Sequence, residues 1–329
     1  MPTLTACIED PSQISEARRN ARQLAAEMGF NEAAAEKVAI VVTEAGTNLL
    51  KHASAGLILM TPTEAGAIEV IALDNGPGIA DYEVCLDDGY STTGTSGTGL
   101  GAIARLSSFC DIYSRPGRGT ALLARVSPDA AKRRTSVVSG VQVPKPGQDV
   151  CGDHWGVSGS NGHSTYLLAD GLGHGPEAAR ASQTAVEMLY KHPDFPPAEL
   201  MDAVHHALRS TRGAAVAIAE IDRERGIVRF SGLGNISATV FAENEPPRRM
   251  VSINGTAGME ARHIREFTYP WNERGIEGAA LFMHSDGVGT HWNLSDYPSL
   301  IARDPAVIAG VLYRDHVRRT DDATILVAK

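Results

Sequence analysis

The chain has 329 residues, 43% of them hydrophobic, 33 glycines and a formal net charge of −9. That is length for two globular, loop-rich α/β domains, and the wrong sign for a general nucleic-acid binder. No basic run is longer than Lys132-Arg133-Arg134, and no apolar run approaches the ~18 residues of a membrane span, so neither nucleic acid nor a membrane is expected as a partner. The four cysteines (Cys7, Cys85, Cys110, Cys151) have neither metal-ligand nor disulfide-framework spacing, and no secretory signal pattern is read. A cytoplasmic location is expected.

Ser12 to Met28 reads as a helix closed by Gly29, with Leu24 and Met28 one turn apart. Asn31 caps a second helix, predicted to run to about Ala53 on an apolar stripe of Val38, Val41, Val42, Ala45 and Leu49. Glu44, Asn48, Lys51 and His52 project from its other face; alone, they read as a solvated surface. The next strand, Ala67 to Leu73, ends in Asp74-Asn75-Gly76-Pro77-Gly78. A carboxylate presented on a glycine turn can accept a hydrogen bond from an exocyclic amine, the contact that selects adenine. A glycine-rich stretch, 89–101, then leads into a helix from about Ala102 to Ser108. Backbone N–H groups at such a helix start suit phosphate.

In this order, Glu44-x-x-x-Asn48-x-x-Lys51-His52-Ala53, Asp74-Asn75-Gly76-Pro77-Gly78 and Gly97-Thr98-Gly99-Leu100-Gly101 resemble the N, G1 and G2 boxes of the gyrase/histidine-kinase-type ATPase superfamily, over about residues 5–126. With no phosphoacceptor-histidine segment read upstream, the pattern is most similar to the anti-sigma-factor serine kinases of the RsbT/RsbW type. The resemblance implies ATP as cofactor, held by Asn48, Lys51, Asp74, Gly76, Gly78, Gly97, Thr98, Gly99, Leu100 and Gly101. It also implies that Asn48 coordinates Mg²⁺ on the phosphates, Asp74 reads adenine, and Glu44 is catalytic, positioning or deprotonating the attacking hydroxyl. An amide oxygen is a hard ligand for Mg²⁺, and a carboxylate one turn away can reach a serine proton. Lys51 and Arg105 are either phosphate contacts or surface cations.

Residues 1–128 are accordingly read as an ATP-binding, kinase-like domain, 129–137 as a linker, and 138–329 as a second domain. The boundary lies in the Ser-, Pro-, Gly- and base-rich stretch from Ser127 to Gly147, with a first strand near Thr135 to Val143.

The second domain is organised around Leu167-Leu168-Ala169-Asp170-Gly171-Leu172-Gly173-His174-Gly175. A buried strand there delivers one carboxylate onto a turn built almost wholly of glycine. Pro176 starts a helix to about Lys191, and Pro197 another to about Arg212. Strands are expected at Ala214–Ile221, Ile227–Leu233 and Ala238–Ala242, the first two as an antiparallel pair across Asp222–Gly226. Ala279 to Gly287 repeats the strand-Asp-Gly design at Asp286. A helix from about Pro305 to Arg314 leads to Asp321-Asp322 and a closing strand, Ile325 to Ala328. Asp153, Asp170, Asp286 and the Asp321–Asp322 pair thus lie at strand ends. If these carboxylates converge, repulsion raises their pKa values unless cations sit between them, and all-oxygen ligation selects Mg²⁺ or Mn²⁺ over Zn²⁺.

Gly152-Asp153, Ala169-Asp170-Gly171-x-Gly173-His174-Gly175, Gly234-Asn235, Ser285-Asp286-Gly287 and Asp321-Asp322-Ala323-Thr324 resemble the metal-dependent protein phosphatases of type 2C, in the bacterial SpoIIE/RsbX branch, over about residues 138–329. The resemblance implies that Asp170 is catalytic and bridges two metal ions, with the Gly171 carbonyl on one of them. Asp286 and one of Asp321 and Asp322 complete the site, Asp321 being preferred, and Asp153 joins directly or through water. His174 is read first as ordering the turn, with proton transfer as the alternative. No phosphate-binding arginine is identified.

The expected fold class is α+β: an N-terminal Bergerat-type α/β sandwich ATPase followed by an αββα sandwich phosphatase. The resemblances together imply a bifunctional regulator of a partner-switching pathway. Its phospho-substrate would be a STAS-domain antagonist or stressosome-like protein, with a sigma factor as a further candidate partner. Two alternatives stand beside this: the first domain sequesters a partner and uses nucleotide only as a switch, or it senses ATP and gates the phosphatase in cis.

Overall fold

The structure is a computed structural model and describes residues 3–80, 99–128, 137–160, 163–242, 245–261, 263–271 and 278–329. It falls into two units, Met1–Ser136 with Ala306–Arg314, and Val137–Pro305 with Asp315–Lys329. Of the expected linker, residues 129–136 lie outside the described residues, as do Cys85, Gly97, Thr98 and most of the glycine-rich stretch.

In the first unit, β1 (Leu4–Ile8), β2 (Gly56–Pro62), β3 (Ile68–Leu73), β4 (Phe109–Ser114) and β5 (Thr120–Val126) form one antiparallel sheet ordered β1-β2-β3-β5-β4. Helices α1 (Pro11–Glu27), α2 (Glu32–Asn48) and α3 (Gly99–Leu106) make the second layer. Asp10 and Gln13 close a capping box on α1, and the Asn31 side chain accepts from the Ala34 N–H at 2.8 Å to start α2. Period-two alternation sends Ile58, Met60, Val70, Leu122 and Ala124 toward Ala17, Ala21, Leu24, Val38 and Val42 of the helices.

The single helix expected from Asn31 to Ala53 is corrected by the structure. The α-helix stops at Asn48, and Leu49–Ala53 is a π-helical turn closed by Ser54 at φ 64°. Leu49 stays in the core, where Gly56 passes so close that a Cβ on it would lie 2.5 Å from Leu49 Cδ2. Widening the turn keeps Leu49 inward while re-aiming Lys51 and His52, which are exposed.

The second unit has two five-stranded sheets. The first, ordered β13-β10-β9-β8-β7, uses β7 (Asp153–Ser160), β8 (His163–Gly171), β9 (Ala214–Asp222), β10 (Ile227–Leu233) and β13 (Phe267–Pro270). The second, ordered β12-β11-β14-β15-β6, uses β6 (Val138–Val143), β11 (Ser237–Phe241), β12 (Arg248–Arg249), β14 (Ala280–His284) and β15 (Ala323–Ala328). Tyr166, Leu168, Ala217 and Phe230 meet Val240, Leu281, Met283 and Leu326 in one core. The opposite face of β8 and β9 (Leu167, Ala169, Val216, Ile218) buries against Ala181, Ala185, Leu189, Leu200 and Val204 of α4 (Pro176–Lys191) and α5 (Pro197–Ala207). Burial on both faces explains why β8 reads as an unbroken apolar run. The helix expected to reach Arg212 stops at Ala207, followed by a 3₁₀ turn, Leu208–Ser210. Helix α6 (Pro305–His316) carries Ala306–Arg314, the stretch that belongs to the first unit. Among the described residues no helix is long and apolar enough to cross a membrane.

Candidate active sites

Strand register assembles the acidic centre of the second unit. Asp153, first in β7, pairs directly with Asp170 near the end of β8. In the other sheet the end of β14 lies beside the start of β15, His284 opposite Ile325, so Asp286 and the Asp321–Asp322 pair emerge at one sheet end. Ser285 ties the two sheets together: its hydroxyl donates to Asp153 Oδ2 at 2.6 Å and accepts from the Thr324 N–H at 3.0 Å. Glycine permits the crowding, since a Cβ on Gly152 would lie 2.7 Å from Asp322 Oδ2, and one on Gly287 only 2.0 Å from the Asp322 carbonyl oxygen.

Asp286, Asp322 and Asp321 each have a brace of their own. Asn235 Nδ2 donates to Asp286 Oδ2 at 2.7 Å, and the Lys145 N–H donates to Asp322 Oδ1 at 2.8 Å. Asp321 Oδ1 accepts from the Asp322 N–H at 2.9 Å. Asp153 Oδ1 and Asp322 Oδ2 are buried without a hydrogen-bond partner. Burial, then the charges of Asp153, Asp286, Asp321 and Asp322, push the Asp170 carboxyl up to about 9. Burial also pushes Asp153 to about 7, and raises Asp286, with Asp321 adding to the latter.

Among the described residues no three His, Cys, Asp or Glu side chains close on one point at ligand spacing. Asp170 nonetheless lies within electrostatic reach of Asp153, Asp286, Asp321 and Asp322. Orphaned, buried carboxylate oxygens in an all-oxygen donor set fit hard divalent cations such as Mg²⁺ or Mn²⁺. Cys151 is no nucleophile here: burial, then Asp153 and Asp322, push its thiol well above the usual range. His174 is exposed and makes no hydrogen bond among the described residues, so it does not order the turn through one. The turn is held by Gly171 N–H to the Gly152 carbonyl at 3.2 Å, Leu172 N–H to the Gly213 carbonyl at 3.0 Å, and positive φ at Gly173 (91°) and Gly175 (76°).

In the first unit, Glu44 and Asn48 converge beneath the start of α3. A Cβ on Gly99 would lie 3.1 Å from Asn48 Oδ1 and 3.4 Å from Glu44 Oε2. Asn48 Nδ2 is buried without a hydrogen-bond partner. Gly99, Leu100 and Gly101 form the first turn of α3, with its free N–H groups. Asp74 Oδ1 accepts from the N–H groups of Gly76 (2.7 Å) and Thr120 (3.2 Å), leaving Oδ2 free to accept from a ligand; burial raises this carboxyl against those two bonds. Gly76 packs on the π turn at Ala53. Gly78, at φ 70°, approaches the Arg115 carbonyl so closely that a Cβ would lie 2.0 Å from it. Lys51 stands exposed on the π turn.

The arrangement of the first unit is that of a histidine kinase-like ATPase, and the two-sheet unit with its strand-end acids is that of a type 2C phosphatase. Family profiles agree: the histidine kinase-like ATPase domain matches residues 8–126 and stage II sporulation protein E (SpoIIE) matches residues 160–329. The chain belongs to the SpoIIE family, with the ATPase-like domain fused ahead of the phosphatase-like domain. The serine/threonine-protein kinase RsbT of Bacillus subtilis (strain 168) is 32% identical over 114 residues, 34% of this chain and 86% of RsbT. The phosphoserine phosphatase RsbX of the same organism is 21% identical over 190 residues, 57% of this chain and 92% of RsbX. A solved bacterial-stressosome chain is similar at TM-score 0.53 and 25% identity, covering 58% of this chain and 98% of that one. RsbX in complex with magnesium is similar at TM-score 0.50 and 19% identity, with 58% and 92% covered.

Residues without an assigned role in the sequence are Ser285 and Asn235, which brace Asp153 and Asp286. Both stand inside recognised motifs, but bonds across 132 and 51 positions leave no local signal.

Proposed function

We propose that this chain both phosphorylates and dephosphorylates serine or threonine in a partner-switching pathway, its protein substrate being a STAS-domain antagonist or stressosome-like protein. The kinase-like half rests on similarity to RsbT and the phosphatase half on similarity to RsbX. The observation that carries the phosphatase reading is that Asp153 pairs with Asp170 across β7 and β8, Ser285 bonds Asp153 to the strand end of the second sheet, and Asp153 Oδ1 and Asp322 Oδ2 are buried without partners.

Asp170, Asp286, Asp321 or Asp322, Asp153 and the Gly171 carbonyl would hold Mg²⁺ or Mn²⁺. Such ions, when bound, neutralise the acids and lower the pKa of a bound water. The fold supplies the rest: Ser285, Asn235 and the Lys145 N–H hold three of the acids in place. Water oxygen attacks phosphorus, the phosphorus–serine oxygen bond breaks, and the departing oxygen takes a proton. In the first domain, Asp74 would accept from the adenine amine and the α3 N-terminus would receive the phosphates, with Asn48 on their Mg²⁺. Glu44 would take the proton of the attacking hydroxyl.

The deciding experiment incubates the chain with Mn²⁺ and a phosphorylated STAS-domain protein. Wild type should release phosphate and Asp170→Ala should not; equal release from both would end the phosphatase reading. Glu44→Ala separates kinase from nucleotide switch. Retained ATP binding with lost transfer supports a kinase, whereas no transfer by the wild type leaves nucleotide binding alone.

A further inference from the structure

We infer, resting on the reading of Asp74 as the adenine contact, that Arg314 is a positioning residue of the nucleotide site: it holds the Asp74 backbone and so fixes which base the first unit accepts. Arg314 lies outside residues 8–126, the stretch that the ATPase profile matches. The nucleotide site of this chain is thus finished by a helix whose contact residue stands 240 positions after Asp74.

Alternation in β3 sends Val70 and Ala72 into the core beneath α1 and α2, and turns Ile71 and Leu73, also buried, to the other face of the sheet. Within the first unit, α6 covers that face. Gly310 allows the close approach: a Cβ there would lie 3.1 Å from Leu73 Cδ2 and 3.2 Å from Ile71 Cγ2. One helical turn on, Arg314 leaves the same side of α6 and reaches the end of β3. There its Nη1 donates to the Asp74 carbonyl at 3.0 Å. Gly119 keeps the way open, since a Cβ on it would lie 2.0 Å from that carbonyl oxygen. Asp74 is therefore held on every side. Its N–H donates to the Thr120 carbonyl at 3.0 Å, its carbonyl accepts from Arg314, and Oδ1 accepts from the Gly76 and Thr120 N–H groups. Burial works against the charged carboxylate; those two N–H groups, then Arg314 and His52 of the π turn, favour it. An ionised acid offers only acceptors. It suits the exocyclic amine of adenine and repels the carbonyl oxygen that hypoxanthine carries in its place.

The test is titration calorimetry of the full chain in Mg²⁺ with ADP and with IDP, whose bases differ at that edge. The wild type should prefer ADP. Arg314→Met keeps the packing of the stem and removes the guanidinium; it should weaken ADP by about 10-fold and leave IDP within about twofold, so that the preference collapses. Arg314→Lys should recover part of it, keeping a donor and the charge without the fork. An ADP-over-IDP ratio in Arg314→Met within about twofold of wild type would overturn the assignment, as would an equal loss for both nucleotides, since that marks a helix support. If the wild type does not prefer ADP, the adenine reading of Asp74 falls. Amide hydrogen exchange at Gly76 and Thr120 then still decides the role of Arg314: faster exchange in Arg314→Met sustains its hold on the turn, and equal exchange overturns it.

Discussion

Replacing Asp170 by asparagine should stabilise the metal-free protein at neutral pH while removing its response to divalent cations. Burial and the surrounding acids raise this carboxyl from 3.8 to about 9. The folded state therefore keeps a proton that the unfolded chain releases. Stability from this group is full below the unfolded value and is lost as pH rises toward about 9. From 3.8 to pH 7 is about three pH units at about 1.36 kcal/mol each, a loss of about 4 kcal/mol. Asparagine keeps the shape and carries no charge, so the variant avoids that loss.

Scanning calorimetry of the full chain from pH 5 to pH 9, in EDTA and in Mn²⁺, measures it. For a unit of this size, about 4 kcal/mol corresponds to roughly 8–16 °C in Tm. In EDTA the wild type should lose Tm as pH rises, and Mn²⁺ should restore it most at high pH, where cations compete with fewer protons. Asp170→Asn should show a flatter pH profile and little shift with Mn²⁺. Parallel wild-type and variant profiles in EDTA, or a full Mn²⁺ shift in the variant, would refute the idea that these acids share one charge-starved space.

Asn235→Ala removes the 2.7 Å brace on Asp286 and should raise the Mn²⁺ half-saturation of phosphate release by about 10-fold or more. Gly287→Ala would place a Cβ 2.0 Å from the Asp322 carbonyl, so thermal unfolding should show a loss of about 1–3 kcal/mol, and Mn²⁺-dependent hydrolysis should disappear although no acid is touched. Asp74→Ala should weaken binding of a fluorescent ATP analogue by at least about 10-fold and leave p-nitrophenyl phosphate hydrolysis intact. Glu69→Ala strips Arg125, 7% exposed, of the carboxylate 2.6 Å away, and should cost about 3–5 kcal/mol in denaturant unfolding of the first unit.

What the sequence made legible depended on whether the signal was local. β8, β14 and β10 show themselves because an apolar run ends in a turn, and α4 because Pro176 opens it. The carboxylates were legible one at a time as strand ends; their meeting depends on Asp153 pairing with Asp170 and on Ser285 joining the sheets. β7 was not legible. Asp153–Ser160 holds two glycines and little periodicity, and Gly156 serves α4 by letting Val186 approach, a Cβ there lying 2.7 Å from Val186 Cγ1. The π turn at Leu49–Ala53 escaped because a 3.6-residue template presumes the α-helix it is testing for. The helix expected to reach about Arg212 overran its end because nothing local marks Ala207 as the last residue, whereas a 3₁₀ turn follows it and the chain turns at Gly213.

Both sites press a strand-end acid against backbone that only glycine allows so near. A Cβ on Gly119 would lie 2.0 Å from the Asp74 carbonyl, and one on Gly171 would lie 2.1 Å from the Ala178 carbonyl. The consequences for charge differ. Asp74 receives two N–H groups on one oxygen, so its carboxylate is supported by the fold itself. The acids of the second unit outnumber their braces, and two of their oxygens have none. The Asp74 turn can therefore stand without a cation, whereas the acids of the second unit are left short of one. Chelation should accordingly destabilise the second unit in a pH-dependent way and leave the Asp74 turn as it is.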